Sequence, residues 1–119
     1  MANLRRILRL AYVYIQPYST LCAFIWDARK SGANFVKRGF DFSFATLIFD
    51  SPTLERPDDR QDYSELRVIA LGIADTIPLT VVYTDRAESG GEVVRRIISA
   101  RVSNRHERKK YRQAFSQEG

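Results

Sequence analysis

The sequence contains very few residues of the kinds that form disulfides or metal sites. Cys22 is its one cysteine and His106 its one histidine among 119 residues. A lone cysteine excludes an internal disulfide and a zinc site built from several thiolates, and it suits a reducing cytosol. Asp58, Asp59 and Asp62 lie close together but lack the spacing of a metal-binding loop. We therefore expect a cytoplasmic protein without a metal or other cofactor.

The chain also has no long hydrophobic run, no internal repeat and no low-complexity tract. No apolar stretch approaches the ~20 residues that a membrane-spanning helix requires, so we predict no membrane span. Its 119 residues, 45% of them hydrophobic and 28% charged, are enough for one domain with a core. We divide the chain into an extension at residues 1–23, a domain at residues 24–115 and a tail at residues 116–119.

Positive charge is in excess and unevenly placed. The formal net charge is +5, which favours an anionic partner such as nucleic acid or an acidic protein. The acidic stretch at residues 50–65 is interpreted as solvated surface. From Val93 onward only Glu107 and Glu118 are acidic. The basic residues of this part are Arg95, Arg96, Arg101, Arg105, Arg108, Lys109, Lys110 and Arg112.

The first 23 residues follow a helical pattern of their own. Leu4, Ile7, Leu8, Ala11 and Ile15 share one helical face, arginines lie beside it, and a proline at position 17 ends the pattern. A basic amphipathic helix of this type binds a membrane surface or a partner protein. A secretory signal is disfavoured, since an arginine at position 9 interrupts the apolar stretch. We expect an appended segment that takes no part in the core.

Two helices are predicted after a short strand at residues 24–26. Asp27 is a suitable N-cap for the first helix, and Gly39 can adopt the left-handed conformation that ends it. Asp41 can cap the second helix, which ends before Pro52. A loop is expected at residues 57–59. The apolar stripe of the second helix is formed by Phe42, Ala45, Ile48 and Phe49.

Three strands are predicted next, at residues 66–71, 79–84 and 93–101. Their connections are short, which favours an antiparallel meander over parallel pairing. Alternation in the last strand puts Arg96 on one face, with Val94, Ile98 and Ala100, and so on the side covered by helices. The opposite face carries Val93, Arg95, Ile97, Ser99 and Arg101.

A basic helix is predicted to follow the last strand. The side chain of Asn104 can accept a hydrogen bond from the free backbone N–H groups at a helix start, and Glu107 completes a capping box. Tyr111 and Phe115 form the apolar end of one helical stripe. The predicted class is therefore α+β, with two helices before a small antiparallel sheet and one basic helix after it.

The residues of this pattern resemble those of the BrnT family, and their order and spacing agree from Phe24 to Tyr111. The matching residues are Phe24, Trp26, Asp27, Lys30, Asn34, Lys37, Gly39, Phe42, Ala45, Phe49, Asp50, Pro52, Glu65, Arg67, Gly72, those at 81–84, those at 96–101, Glu107, Arg108 and Tyr111. The resemblance implies a RelE-like fold and a bacterial ribonuclease toxin that inhibits translation. It also implies a BrnA-like ribbon-helix-helix antitoxin, through which the complex would bind operator DNA.

The chain departs from the family pattern at a few positions. Arg38 stands where family members usually have histidine between the matching lysine and glycine. Ser43 and Phe44 stand where acidic residues are frequent, and Val102 where a basic one is frequent. If the missing histidine belongs to the family's chemistry, the chain is a degenerate toxin or a basic binding module without activity. If it only contacts phosphate, Arg38 can replace it.

The implied reaction, RNA cleavage without a metal, needs a base, an acid and cations on the developing negative charge. Arg101 and Arg96 are the first candidates for the cations, because a guanidinium matches phosphate oxygens in bidentate fashion. The candidates for proton transfer are Glu107, His106, Tyr111, Lys30 and Lys110. The structural alternatives are helix capping for Glu107, simple exposure for His106 and core packing for Tyr111. The residues expected to bind nucleic acid are Lys37, Arg38, Arg105, Arg108, Lys109 and Lys110.

Overall fold

The computed structural model describes residues 14–16 and 23–115, which form one six-stranded sheet and the helices that pack on it. The strands are β1 (Tyr14–Gln16), β2 (Ala23–Trp26), β3 (Thr53–Pro57), β4 (Val68–Ala74), β5 (Ile77–Ala87) and β6 (Val93–Val102). The helices are α1 (Ala28–Arg38), α2 (Phe42–Ala45), which continues as a 3-10 helix over Thr46–Asp50, and α3 (Arg105–Phe115). The sheet order is β1-β3-β4-β5-β6-β2.

The predicted α+β class and meander are confirmed. Strands β4, β5 and β6 pair antiparallel in sequence order, and β2 adds to β6 in parallel. The helix caps are also as predicted: Asp27 Oδ1 accepts from the backbone N–H of Arg29 at 2.9 Å, and Asp41 Oδ1 accepts from that of Phe44 at 2.9 Å. Gly39 ends α1 with a φ of 90°.

The connection between β4 and β5 is shorter than the sequence predicted. Only Asp75 and Thr76 separate the strands, and both have positive φ, 47° and 74°, as a two-residue hairpin turn requires. Gly72 lies inside β4 and is no turn residue. A Cβ there would lie 2.7 Å from Cβ of Ile48, so glycine lets the 3-10 helix approach the sheet.

Strand β3 was not predicted, because proline precedes it and occupies its last position. Pro57 pairs with Val68 at the end of the β3–β4 ladder, where a missing N–H is tolerated. The polar residues Thr53 and Glu55 are buried in this strand, with 0% and 2% of their surface exposed. Thr53 Oγ1 donates to Glu55 Oε2 at 2.7 Å, which satisfies part of the buried polarity.

The helix predicted through Ile15 is wrong at Tyr14–Gln16. These residues form β1, which pairs antiparallel with the start of β3, Tyr14 opposite Glu55 and Gln16 opposite Thr53. This part of the extension thus adds an edge strand to the sheet. The rest of the predicted helix and the tail at residues 116–119 lie outside the described residues.

The hydrophobic core lies between the sheet and the segment formed by α2 and the 3-10 helix. The predicted stripe of Phe42, Ala45, Ile48 and Phe49 is buried there as expected. It packs against residues of the three meander strands, namely Ala70, Ala74, Leu79, Val81, Tyr83, Ile97 and Ala100. We call this side of the sheet the covered face and the other side the open face.

The alternation predicted for β6 is correct in its second half and wrong in its first. Val82 pairs with Ser99 but Tyr83 pairs with Ile97, so Ile98 is an extra residue at a β-bulge. A bulge reverses the faces of all residues before it. Arg96, predicted on the covered face, therefore shares the open face with Ser99 and Arg101.

The arginine on the covered face is Arg95, and it is structural. Its side chain is 6% exposed and donates two hydrogen bonds of 2.8 Å to the carboxylate of Asp85. The guanidinium carbon lies 3.9 Å from the ring centroid of Tyr83 and 4.8 Å from that of Phe49. Burial works against the charge of Arg95, yet the Asp85 carboxylate and its other neighbours hold the pKa of the guanidinium above its ordinary value.

Candidate active site

Helix α3 begins with the capping box that the sequence predicted. The backbone N–H of Glu107 donates to Asn104 Oδ1 at 2.9 Å, and that of Asn104 donates to Glu107 Oε1 at 2.8 Å. Farther along α3, the Tyr111 hydroxyl donates to the carbonyl oxygen of Pro52 at 3.1 Å. These contacts hold the helix at the end of β6, next to the strand that carries Arg101.

The carboxylate of Glu107 is the centre of a buried polar cluster. Glu107 Oε1 accepts from Arg101 Nη1 at 2.8 Å and from Thr80 Oγ1 at 3.0 Å, and Glu107 Oε2 accepts from Arg101 Nη2 at 2.8 Å. The Glu107 side chain is only 10% exposed, whereas that of Arg101 is 41% exposed. We call Arg101, Glu107, Thr80 and Ser103 the Arg101 cluster.

Thr80 and Ser103 complete the cluster, and sequence reasoning missed both. Thr80 is the ladder partner of Arg101 on β5, so the two side chains share the open face. The hydroxyl oxygens of Thr80 and Ser103 lie 2.8 Å apart, and both residues are buried. A polar residue among the apolar positions at the start of β5 was the available signal.

These contacts determine the state of the Glu107 carboxyl. Burial raises its pKa, but the hydrogen bonds from Arg101, the Asn104 backbone and Thr80 outweigh burial, so the pKa of Glu107 is lowered overall. The carboxylate is therefore ionised at neutral pH, and four hydrogen bonds engage it. Its geometry suits orientation of the Arg101 guanidinium better than proton transfer.

The other catalytic and nucleic-acid-binding residues that the sequence predicted on α3 form a basic surface beside the Arg101 cluster. His106 follows Arg105 in the first turn, and both are exposed. Lys109 is also exposed and Lys110 is half-buried. Arg108 differs from them, because its Nη1 donates to the carbonyl oxygen of Ser103 at 2.8 Å and so braces the start of the helix.

Arg96 lies farther along the same open face. Its ladder partner on β5 is Thr84, four residues beyond Thr80, the partner of Arg101. At ~3.3 Å per residue the two positions are roughly 13 Å apart. Arg96 is half-buried, and its other neighbour across the ladder is Ile25 of β2. The bulge therefore brings a second guanidinium onto the face that holds the Arg101 cluster.

The site residues that the sequence predicted on α1 are not part of the Arg101 cluster, whose members lie on β5, on β6 and at the start of α3. Lys30 is in the first turn of α1, Lys37 and Arg38 are in the last, and all three are exposed. Arg38 lines a groove together with Val102, the residue that follows Arg101. The end of α1 is thus near the end of β6, whereas Lys30 is at the opposite end of the helix.

Two general features of the described residues bear on the type of site. Within residues 14–16 and 23–115, no group of three His, Cys, Asp or Glu side chains is arranged to hold a metal ion. None of the helices in the same part of the chain is both long and apolar enough to cross a membrane.

An open sheet face with arginine side chains, next to a basic helix, is typical of proteins that bind an anionic partner. The comparison with protein families identifies the family to which this protein belongs. The model of the family described as the ribonuclease toxin BrnT of type II toxin–antitoxin systems matches residues 26–107. The chain belongs to this family. No match was found among curated proteins.

Proposed function

We propose that the protein is an endoribonuclease toxin that binds RNA on the open face of the sheet and cleaves it without a metal ion. The observation that carries the proposal is the bidentate pair between Arg101 and the buried Glu107. A guanidinium that is oriented from behind by a buried carboxylate and is 41% exposed is suited to binding a phosphate.

In this proposal Arg101 stabilises the charge that develops on the phosphate during cleavage. Attack by the ribose 2′-OH adds negative charge to the phosphate oxygens, and a fixed cation lowers the free energy of that transition state. Arg96 binds a second phosphate along the same face, roughly 13 Å away. The exposed cations Arg105 and Lys109 extend the basic surface and bind the RNA backbone without base preference.

His106 is the proposed proton-transfer group. Glu107 is ionised and held by four hydrogen bonds, which leaves it unsuited to take up the 2′-OH proton. An imidazole ring can both donate and accept a proton, and His106 is exposed in the same helical turn as Glu107. Lys30 is the less favoured candidate, because it lies at the end of α1 that is far from the end of β6.

The biological setting is proposed from the family. The toxin acts in the cytoplasm, has a RelE-like fold and slows translation by cleaving cellular RNA. A BrnA-like ribbon-helix-helix antitoxin neutralises it, and the complex of the two proteins binds operator DNA through the antitoxin. The support for this setting is membership in a type II toxin–antitoxin family and the basic net charge.

A degenerate toxin is the alternative, and Arg38 is the observation that favours it. Arg38 replaces the histidine usual in the family and lines the groove near the end of β6. If that histidine is needed for proton transfer, the chain binds its antitoxin but cleaves nothing. An Arg38→His variant that cleaves RNA beside an inactive wild type would establish this alternative.

The direct test uses the purified chain and a defined single-stranded RNA, with EDTA and with magnesium in parallel. We expect cleavage in both, with 2′,3′-cyclic phosphate or 3′-phosphate at the new ends, because the 2′-OH is the attacking group. Cleavage in magnesium alone would contradict metal independence. Absence of cleavage in both conditions, for the wild type and for Arg38→His, would contradict the ribonuclease assignment.

A further inference from the structure

A groove between the end of helix α1 and the β4–β5 hairpin is lined by three phenylalanine rings. Phe40 and Phe44 pack against each other with ring centroids 5.8 Å apart, and Phe35 is 57% exposed. Ile77 and Val102 complete the apolar lining. The groove has a volume of about 430 Å³, within the range of roughly 300–1,000 Å³ that is usual for small-ligand sites. It can therefore hold a planar group stacked on an aromatic ring.

The charged residues of this groove do not pair with one another. Arg38, Asp41 and Asp75 all line it, yet among the described residues no ion pair joins the arginine to either carboxylate. Asp41 Oδ1 is engaged, because it accepts from the backbone N–H of Phe44 at 2.9 Å. The side chains of Asp75 and Arg38 make no hydrogen bond to the part of the chain that the structure describes. The groove therefore offers a ligand both an acceptor group and a donor group.

Rigid elements fix the backbone at both of these charged residues. Asp75 lies in the two-residue turn between β4 and β5, and the ladder of the two strands is complete up to the pair of Ala74 and Ile77. Arg38 is the last residue of α1, which ends at Gly39 with a left-handed cap. The carboxylate and the guanidinium thus reach the groove from two different elements.

A nucleobase matches this combination of rings and charged groups. Unpaired RNA bases stack on aromatic side chains and form hydrogen bonds through their edges. Guanine presents two neighbouring acceptors, O6 and N7, to which an arginine binds in bidentate fashion. Its N1–H and 2-amino groups are neighbouring donors that suit a carboxylate with both oxygens available. The other three bases lack one of these two pairs, and an apolar protein segment would use neither charged group.

We propose that this groove is a guanine-binding site, in which the base stacks on the phenylalanine rings, Arg38 donates to O6 and N7, and Asp75 accepts from N1–H and the 2-amino group. The proposal rests on the proposed function and adds a base preference for the RNA substrate. Val102 lines the groove and directly follows Arg101 on β6. The guanine in the groove and the phosphate at Arg101 therefore belong to neighbouring nucleotides, and the toxin cleaves RNA next to guanine.

The test measures the binding of short uridine oligonucleotides that carry one guanosine at the centre. All riboses are 2′-O-methylated, so no attacking hydroxyl is present and binding is measured without cleavage. Matching oligonucleotides carry uridine at the centre, inosine, which lacks the 2-amino group, or 7-deazaguanosine, which lacks N7. By fluorescence anisotropy we expect the guanosine oligonucleotide to bind about tenfold more tightly than the uridine one. Inosine and 7-deazaguanosine should give intermediate affinities, since each keeps one pair of hydrogen bonds.

Two variants assign the hydrogen bonds of guanine to their residues. Asp75→Asn suits the φ of 47° at this turn position, because asparagine tolerates the left-handed conformation. It should lose the difference between guanosine and inosine and keep that between guanosine and 7-deazaguanosine. Arg38→Ala, at the exposed end of α1, preserves the helix and should show the reverse. The controls Asp59→Asn and Lys37→Ala remove the same charges at exposed positions outside the groove and should keep both differences.

Each result supports or overturns the guanine site. Equal affinity of the wild type for the guanosine and uridine oligonucleotides would overturn it, while cleavage in EDTA tests the ribonuclease function separately. A wild type that binds none of the oligonucleotides would contradict the RNA-binding function on which the proposal rests. If the wild type prefers guanosine but Asp75→Asn and Arg38→Ala keep both differences, another part of the chain binds guanine and the groove is rejected. If these variants keep the RNA preference but lose binding to the protein encoded by the adjoining gene, the groove binds protein and the proposal is wrong.

Discussion

Two hydrogen bonds of 2.8 Å join the guanidinium of Arg101 to the carboxylate of Glu107, and the carboxylate is the buried partner. The same carboxylate caps helix α3 through the backbone N–H of Asn104. The start of the helix and the orientation of the arginine are therefore set by one side chain. A change at Glu107 is expected to affect both stability and the candidate active site.

Thr80 is expected to act through Glu107 on Arg101. Thr80→Val removes the hydroxyl that donates to Glu107 at 3.0 Å, and we expect a loss of ~1–2 kcal/mol in the free energy of unfolding. Because Arg101 is then less well oriented, kcat for RNA cleavage should fall roughly tenfold with little change in KM. Thr80→Ser keeps the hydroxyl and should restore kcat. Equal kcat for Thr80→Val and the wild type would show that Thr80 is only structural.

The stability of the protein is expected to depend on pH through Glu107. Its folded-state pKa lies below that of the unfolded chain, which is ~4.3 for glutamate. The ionised form thus stabilises the fold fully above that value, and the contribution is lost as pH falls through the lower folded-state pKa. Glu107→Gln removes this contribution. Denaturant unfolding at pH 7 and at pH 3 should show a larger loss for the variant at pH 7, and an equal loss at both would contradict the assignment.

Gly72 and Gly90 provide a matched pair for testing the contact between the sheet and the 3-10 helix. A Cβ at Gly72 would lie 2.7 Å from Ile48 Cβ and 3.1 Å from a methyl carbon of Thr53. Gly72→Ala should therefore cost ~1–3 kcal/mol through overpacking. Nothing lies within 4 Å of a Cβ at Gly90, so Gly90→Ala should change the stability by less than ~0.5 kcal/mol. Similar thermal midpoints for the two variants would argue against the close approach of Ile48.

His106 is expected to contribute to the reaction and little to the fold. His106→Ala should lower the cleavage rate roughly a hundredfold, the usual size of a general acid–base contribution. The thermal midpoint should stay within error, since the side chain is exposed. Lys109→Ala on the same helix is the control for lost charge. If both variants cleave equally well, His106 has no specific role in the reaction.

Local patterns in the sequence predicted the elements that depend on neighbouring residues. The caps at Asp27 and Asp41, the buried stripe before Pro52, and the capping box of Asn104 and Glu107 were all found where the sequence predicted them. Each rests on hydrogen bonds or periodicity within a few residues. The meander was also predicted, because short connections restrict three strands to antiparallel neighbours.

Features that depend on distant partners were missed. The bulge at Ile98 is a property of the β5–β6 pairing, and without it Arg96 was predicted on the wrong face. Strand β3 is defined by pairing with β1 and β4, which no local pattern near its prolines revealed. Thr80 joins the candidate site across 27 residues of sequence, through its hydrogen bond to Glu107.

The central claim is that the guanidinium of Arg101 binds the phosphate at the point of cleavage. Single-turnover cleavage of RNA in EDTA by Arg101→Ala and Arg101→Lys tests it most directly. We expect a loss of ~3 kcal/mol in transition-state stabilisation for Arg101→Ala, roughly a hundredfold in rate, and a partial loss for Arg101→Lys, which keeps the charge but not the planar fork. The unfolding free energy should also fall, by ~1–3 kcal/mol, because the truncation leaves the buried Glu107 carboxylate without its charged partner, so the rates are compared under conditions where the variant is folded. Wild-type cleavage by a folded Arg101→Ala variant would contradict the account.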